Sequence, residues 1–140
     1  MSNLSVFLAG NTVDETTKVV VSNRFKDKGK PVEWEIKAVD SDTDEMLRKE
    51  CTKKVPIVGK RGQHTLETDT DKYLSKLCTH CVVFPNLNDA ELQDSYKVKS
   101  ADALLKKMLL PGEYMELKAM VMEVNGFDVS MEEKIDEAKN

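Results

Sequence analysis

The sequence predicts an α+β fold in which an N-terminal β-hairpin packs against a mainly α-helical C-terminal part. Three observations lead there. Two strand-like segments occur early, a β-branched one over 16–22 and an alternating one over 31–39. From Ser41 onward the apolar residues recur at helical rather than strand spacing, and most of these patterns carry their own start or stop signals. At 140 residues, the chain is also one domain's worth of sequence, so both parts are expected to share a core as a single domain over 1–140.

Before the hairpin, residues 3–9 form a short apolar stretch ended by Gly10-Asn11. Leu4, Phe7 and Leu8 are helically spaced, but one or two isolated turns are marginal in water. The stretch must therefore dock, and its own domain is the simplest ground. In the hairpin, Val32, Trp34, Ile36 and Ala38 alternate with Glu33, Glu35 and Lys37, and Trp34 is the natural core anchor. The polar segment 23–30 connects the strands. Two strands alone are not stable, so helices must cover one face.

Ser41 is a suitable N-cap, with Asp42, Asp44 and Glu45 placed to favour the positive end of a helix dipole, and that helix runs to about Cys51. Residues 52–68 read as an irregular connection broken by Pro56, Gly59 and Gly62. Lys53, Lys54, Lys60 and Arg61 make it locally basic, a pattern usual for a solvated loop. A helix from Asp71 aligns Tyr73, Leu74, Leu77, Cys78 and Cys81, and stops near Val83 because Phe84 precedes Pro85. A short helix over 89–96 is capped by Asn88, and the next by Ser100, with Leu104, Leu105 and Met108 facing inward.

Pro111 suits the first turn of the following helix, about 112–124. Tyr114, Leu117, Met120, Val121 and Val124 form one apolar arc on it. Met115, Ala119 and Met122 form a second, beyond Lys118. A surface helix needs one stripe, so the second implies a central position or a partner. Asn125-Gly126 gives a C-cap with Phe127 folding back, and Ser130-x-x-Glu133 opens a last short helix carrying Met131, Ile135 and Ala138.

The net charge of −4 offers no basic field for nucleic acid. No apolar run reaches the ~20 residues of a membrane span, and no signal peptide opens the chain. Three cysteines, an odd number, fit a reducing cytoplasm better than a disulfide framework. Cys78-Thr79-His80-Cys81, with His64 and Cys51, invites a zinc reading. It lacks a second ligand pair at a zinc-module spacing, and its cysteines occupy the apolar side of a helix, where small hydrophobes belong. With two histidines and no nucleophile elbow, the sequence points away from an enzyme and implies no cofactor or metal. Five of seven methionines lie between 108 and 131, and methionine favours surfaces that accept varied apolar partners.

Several long segments carry a family resemblance: Ser22–Asp27, Gly29–Ile36, Arg48–Lys53, Val83–Leu87, Ala90–Tyr96, Leu104–Tyr114 and Glu123–Asp128. Together they resemble the XkdN-like phage tail assembly chaperones over most of the chain. The resemblance implies a protein of the host cytoplasm that acts while a contractile tail is built. It would bind the tape measure protein, keep that protein soluble and help bring tail tube subunits to it. It would be absent from the finished virion. A frameshifted longer product is common in such systems. A homo-oligomer stays open, and no nucleic-acid or membrane partner is implied. Leu4, Phe7, Leu8, Met115, Ala119 and Met122 are the residues expected to line the partner groove. The alternatives are a tail protein retained in the virion and a small zinc-binding module.

Overall fold

The hairpin forms as its alternation dictates. β1 (Thr17–Val19) runs antiparallel to β4 (Trp34–Ile36), with Val19 opposite Trp34 and Thr17 opposite Ile36. Trp34 and Ile36, two residues apart, point to the same face and are fully buried. The structure, a computed structural model, describes residues 3–12 and 15–127, so the helix expected over 130–138 lies outside the described residues. Within the connection, β2 (Lys26–Asp27) and β3 (Lys30–Pro31) make a smaller hairpin. Its two-residue turn places both Lys28 (φ 54°) and Gly29 (φ 80°) in the left-handed region, as the tight hairpin turn demands.

A third strand completes this sheet from far along the chain. β7 (Val82–Phe84) pairs antiparallel with the other side of β4, so the order is β1-β4-β7. The sequence places the end of the preceding helix near Val83, inside this strand. The structure ends that helix, α2 (Thr70–Cys81), one residue before the strand begins. Val82 is both the end cap of α2 and the first residue of β7. A β-branched Val-Val pair before proline is better served by extended backbone than by helix.

The connection 52–68 also differs from expectation. It is a regular antiparallel hairpin of β5 (Thr52–Pro56) and β6 (His64–Thr68), registered from Thr52 opposite Thr68 to Pro56 opposite His64. The breakers lie where a hairpin tolerates them. Pro56 ends a strand, and Gly59 and Gly62 have φ of 82° and 76° in the tip. At the base, the Thr52 and Thr68 hydroxyls are 2.7 Å apart and the Asp69 amide donates to the Cys51 carbonyl.

The remaining helices are α1 (Ser41–Glu50), α3 (Ala90–Ser95), α4 (Ala101–Met108) and α5 (Pro111–Val124). The caps of α1 and α3 fall one residue from the sequence reading: Asp40 rather than Ser41, and Asp89 rather than Asn88. Each aspartate has extended backbone and accepts from the amide three residues on, Thr43 and Leu92. Ser100 caps α4 as read, accepting from Ala103. At the end of α5, the amides of Gly126 and Phe127 donate to the carbonyls of Glu123 and Met122, and Gly126 has φ of 82°. This is the glycine-closed helix end anticipated from Asn125-Gly126-Phe127.

Trp34, Ile36, Leu47, Leu77, Leu104, Leu105, Leu117 and Val121 form the centre of one apolar cluster shared by the sheet and the helices. Two polar ties cross it. The Asn125 side chain accepts from the Val39 amide at 3.0 Å and donates to the Val121 carbonyl at 2.7 Å. Arg24 Nη2 donates to the Met108 carbonyl at 2.6 Å and to Glu113 at 2.7 Å.

Candidate partner-binding surface

α5 has the two-sided character its sequence predicts. Tyr114, Leu117 and Val121 are buried, and Met120 and Val124 pack at the edge of the cluster, so the first apolar arc is used up in the core. The second arc is left over. Met115 is 70% exposed, Ala119 is exposed and Met122 is half-buried. Glu116 and Glu123, both exposed, run along the far border of this face.

The near border of the face opens into a groove of about 920 Å³ where the start of α5 meets the start of α2 and the end of α4. Met115, Leu109 and Pro111 supply its apolar wall, and Ser75, Asp102 and Tyr114 its inner lining. Burial is the main cause that pushes the Tyr114 hydroxyl pKa up, and Ser75 works against it. Lys118 Nζ lies 4.4 Å from the centre of the Tyr114 ring, a cation–π arrangement that holds a lysine over the apolar floor. Asp102 Oδ1 is closed off from solvent and has no hydrogen-bond partner among the described residues. Asp69, Asp71, Lys72, Lys106 and Lys118 complete the lining, so the groove is a largely charged recess with one exposed methionine on its wall.

The N-terminal apolar stretch takes a different form from the one expected. Asn3–Phe7 and Ala9–Asn11 are short 3-10 turns, and Leu4, Phe7 and Leu8 are 65%, 75% and 52% exposed. The three side chains are therefore largely exposed rather than part of the buried core. In a 3-10 turn, residues three apart eclipse, so Leu4 and Phe7 share one side without making the broad stripe that a helix could bury. None of Leu4, Phe7 or Leu8 lines the groove, so of the six residues singled out only Met115 belongs to it, with Ala119 and Met122 continuing along the same helix. The sequence did not identify Ser75 or Asp102, since a serine on α2 and an aspartate in the first turn of α4 carry no signal until the helices are placed.

The cysteines are core residues. Cys51, Cys78 and Cys81 are free, buried thiols. Burial pushes the Cys78 thiol up to about 12 and raises that of Cys81, which accepts from the Asn125 side chain at 3.4 Å. Among the described residues no group of three His, Cys, Asp or Glu side chains is gathered as for a metal, and no helix is long and apolar enough to cross a membrane. His64 stands on β6, in the projecting hairpin.

Comparison with known proteins gives a consistent result. Residues 4–139 match the model of the Phage XkdN-like tail assembly chaperone protein family. YqbN of Bacillus subtilis strain 168 is 33% identical over 99% of this chain and 93% of its own length. The phage-like element PBSX protein XkdN of the same strain is 29% identical over 99% of this chain and 94% of its own. The crystal structure of YqbN superposes with a TM-score of 0.74 at 30% identity, covering 91% of this chain and 99% of that one.

Proposed function

Because the chain belongs to the XkdN-like phage tail assembly chaperone family, we propose that it binds apolar helical segments of the tape measure protein, keeps them soluble and helps bring tail tube subunits to them. It does so in the host cytoplasm, as a non-catalytic protein, while a contractile tail is assembled, and it leaves before the virion is complete. The observation that carries this reading is the surplus apolar stripe on α5. Met115, Ala119 and Met122 remain accessible although the same helix already anchors the core through Leu117 and Val121.

A client helix would lie along this stripe, with an apolar side chain against Met115 at the groove wall. The flexible, polarisable methionine side chain adapts to client segments of different shape. Burying a large apolar side chain is worth about 1.5–3 kcal/mol, so two or three anchors give a grip that a growing tube can still displace. Leu4, Phe7 and Leu8 supply further exposed apolar surface for a client.

The test is co-expression with the tape measure protein of the same tail. Met115→Glu with Met122→Glu should leave the circular dichroism spectrum and melting temperature near those of the parent, while co-purification of the client is lost. Unchanged recovery of the client would place the binding face elsewhere. Mass spectrometry of purified particles separates this reading from that of a tail protein that stays in the virion. A chaperone should be missing from them.

A further inference from the structure

The hairpin β5–β6 has features that the chaperone reading leaves unused. It pairs with no other strand among the described residues, and none of its residues belongs to the buried core. A free two-stranded ribbon of this kind is marginal in water unless something packs on it. Cross-strand partners share a face, so Lys54 and Leu66 lie on one side while Lys53, Glu67 and Val55 lie on the other. The Lys54 side, which also holds Thr52, Pro56, His64 and Thr68, carries no acidic residue. Leu66 is 69% exposed, and the tip adds Lys60, Arg61 and a Val58 that is 98% exposed.

Charge is divided unevenly between this arm and the rest. Residues 52–68 hold four basic residues and one acidic one. The other 123 residues hold 17 basic and 24 acidic, so an arm of +3 extends from a body of −7. The exposed face of α5 is the matching surface. It presents Met115, Ala119 and Met122 beside Glu116 and Glu123, which stand seven positions apart on one side of the helix. Lengths also correspond, since five strand residues span about 17 Å and fourteen helical residues about 21 Å.

We infer that the β5–β6 arm of one copy of this chain docks on the exposed face of α5 of a second copy, with Leu66 and Val58 against the methionine stripe and Lys54 and Arg61 beside Glu116 and Glu123. The two surfaces are different, so the contact is either reciprocated in a closed pair or repeated from copy to copy. It stands independently of the client reading but uses the same face of α5, so a client helix and a second copy compete for it. Self-association would then shield the stripe whenever no client is present.

The experiment is light scattering coupled to size exclusion on the full chain at high protein concentration, in low and high salt. The parent chain should associate, and salt should weaken the complex because exposed charges make it. Lys54→Glu with Arg61→Glu, and separately Glu116→Lys with Glu123→Lys, should each give a folded monomer by circular dichroism. An equimolar mixture of the two variants should recover a two-chain complex, since one keeps a native arm and the other a native α5. The arm variant should still capture the tape measure client, which separates failure of this inference from failure of the client reading. A parent chain that stays monomeric, variants that associate like the parent, or an arm whose charges serve only to shift a single-stranded oligonucleotide would each overturn it.

Discussion

Glu113 shows how much one side chain does at the junction of the two parts of the fold. Its Oε1 accepts from Arg24 at 2.7 Å, across 89 positions of sequence, and from the Leu110 amide at the start of α5 at 2.8 Å. The Arg24 hydrogen bond is the largest cause, followed by Ser22 and the Leu110 amide, that lowers the Glu113 carboxyl from its usual 4.5 to about 2. A carboxyl lowered by folding adds stability that is present above the unfolded value and is lost as pH falls through the folded one. Glu113→Gln should therefore lower the melting temperature at pH 7, and the difference from the parent should shrink between about pH 4.5 and pH 2. Thermal melts across that range would check it, and a constant difference down to pH 2 would contradict the ion pair's role. At this scale the sequence was legible where a residue acts on its own neighbours. Ser100, Pro111 and Gly126 could be read directly, and the caps of α1 and α3 were missed by one residue because Asp40-Ser41 and Asn88-Asp89 each offer two competent capping side chains. The partners Arg24 and Glu113 could not be read, since nothing local links positions 89 residues apart.

At the scale of elements, the helices were legible and the strands β5, β6 and β7 were not, for physical reasons that differ. β7 is three residues long and continues directly from α2, so it offers no separate period to detect. In β5–β6 alternation is present but weak, because an arm with water on both faces has no buried side to impose it, and every residue of β6 is exposed. The same exposure makes the arm dispensable for the fold. Replacing residues 53–67 by a two-residue Asn-Gly turn between Thr52 and Thr68 should move the melting temperature by no more than a few degrees, because no core contact is removed. A collapse of the helical signal in that variant would mean that the arm supports the body. Against this, the stripe of Met115, Ala119 and Met122 was recognisable from the sequence as one apolar stripe too many. The groove beside it was not, because its Ser75 and Asp102 come from two other helices.

On the scale of the whole molecule, the apolar cluster joins Trp34 and Ile36 of the sheet to Leu77, Leu104 and Leu117 of three helices, so the hairpin and the helical part should unfold together. Melting followed by Trp34 fluorescence and by far-ultraviolet circular dichroism should give coincident transitions, the usual behaviour of chains under 150 residues. Leu117→Ala, a cavity at a fully buried position of α5, should cost about 2–5 kcal/mol and shift both transitions equally. A fluorescence transition that ignores the substitution would show two independently stable parts. The α+β class and the placing of a hairpin against helices were legible from the two periodicities. The closure of the sheet by a strand from beyond α2 was not, since it is a long-range pairing.

That closure also determines where the chain can tolerate a change of length. Helix α2 passes into β7 without an intervening residue, so the backbone between Cys81 and Val82 holds no slack. One residue inserted there would exchange the two faces of β7 and turn Val82 out of the core, while the opposite end of the same helix adjoins an arm with an open tip. Among natural or laboratory variants, insertions and deletions should therefore accumulate over 57–63 and be purged at 81–82, and a library of single-residue insertions sorted for folded protein would display that contrast.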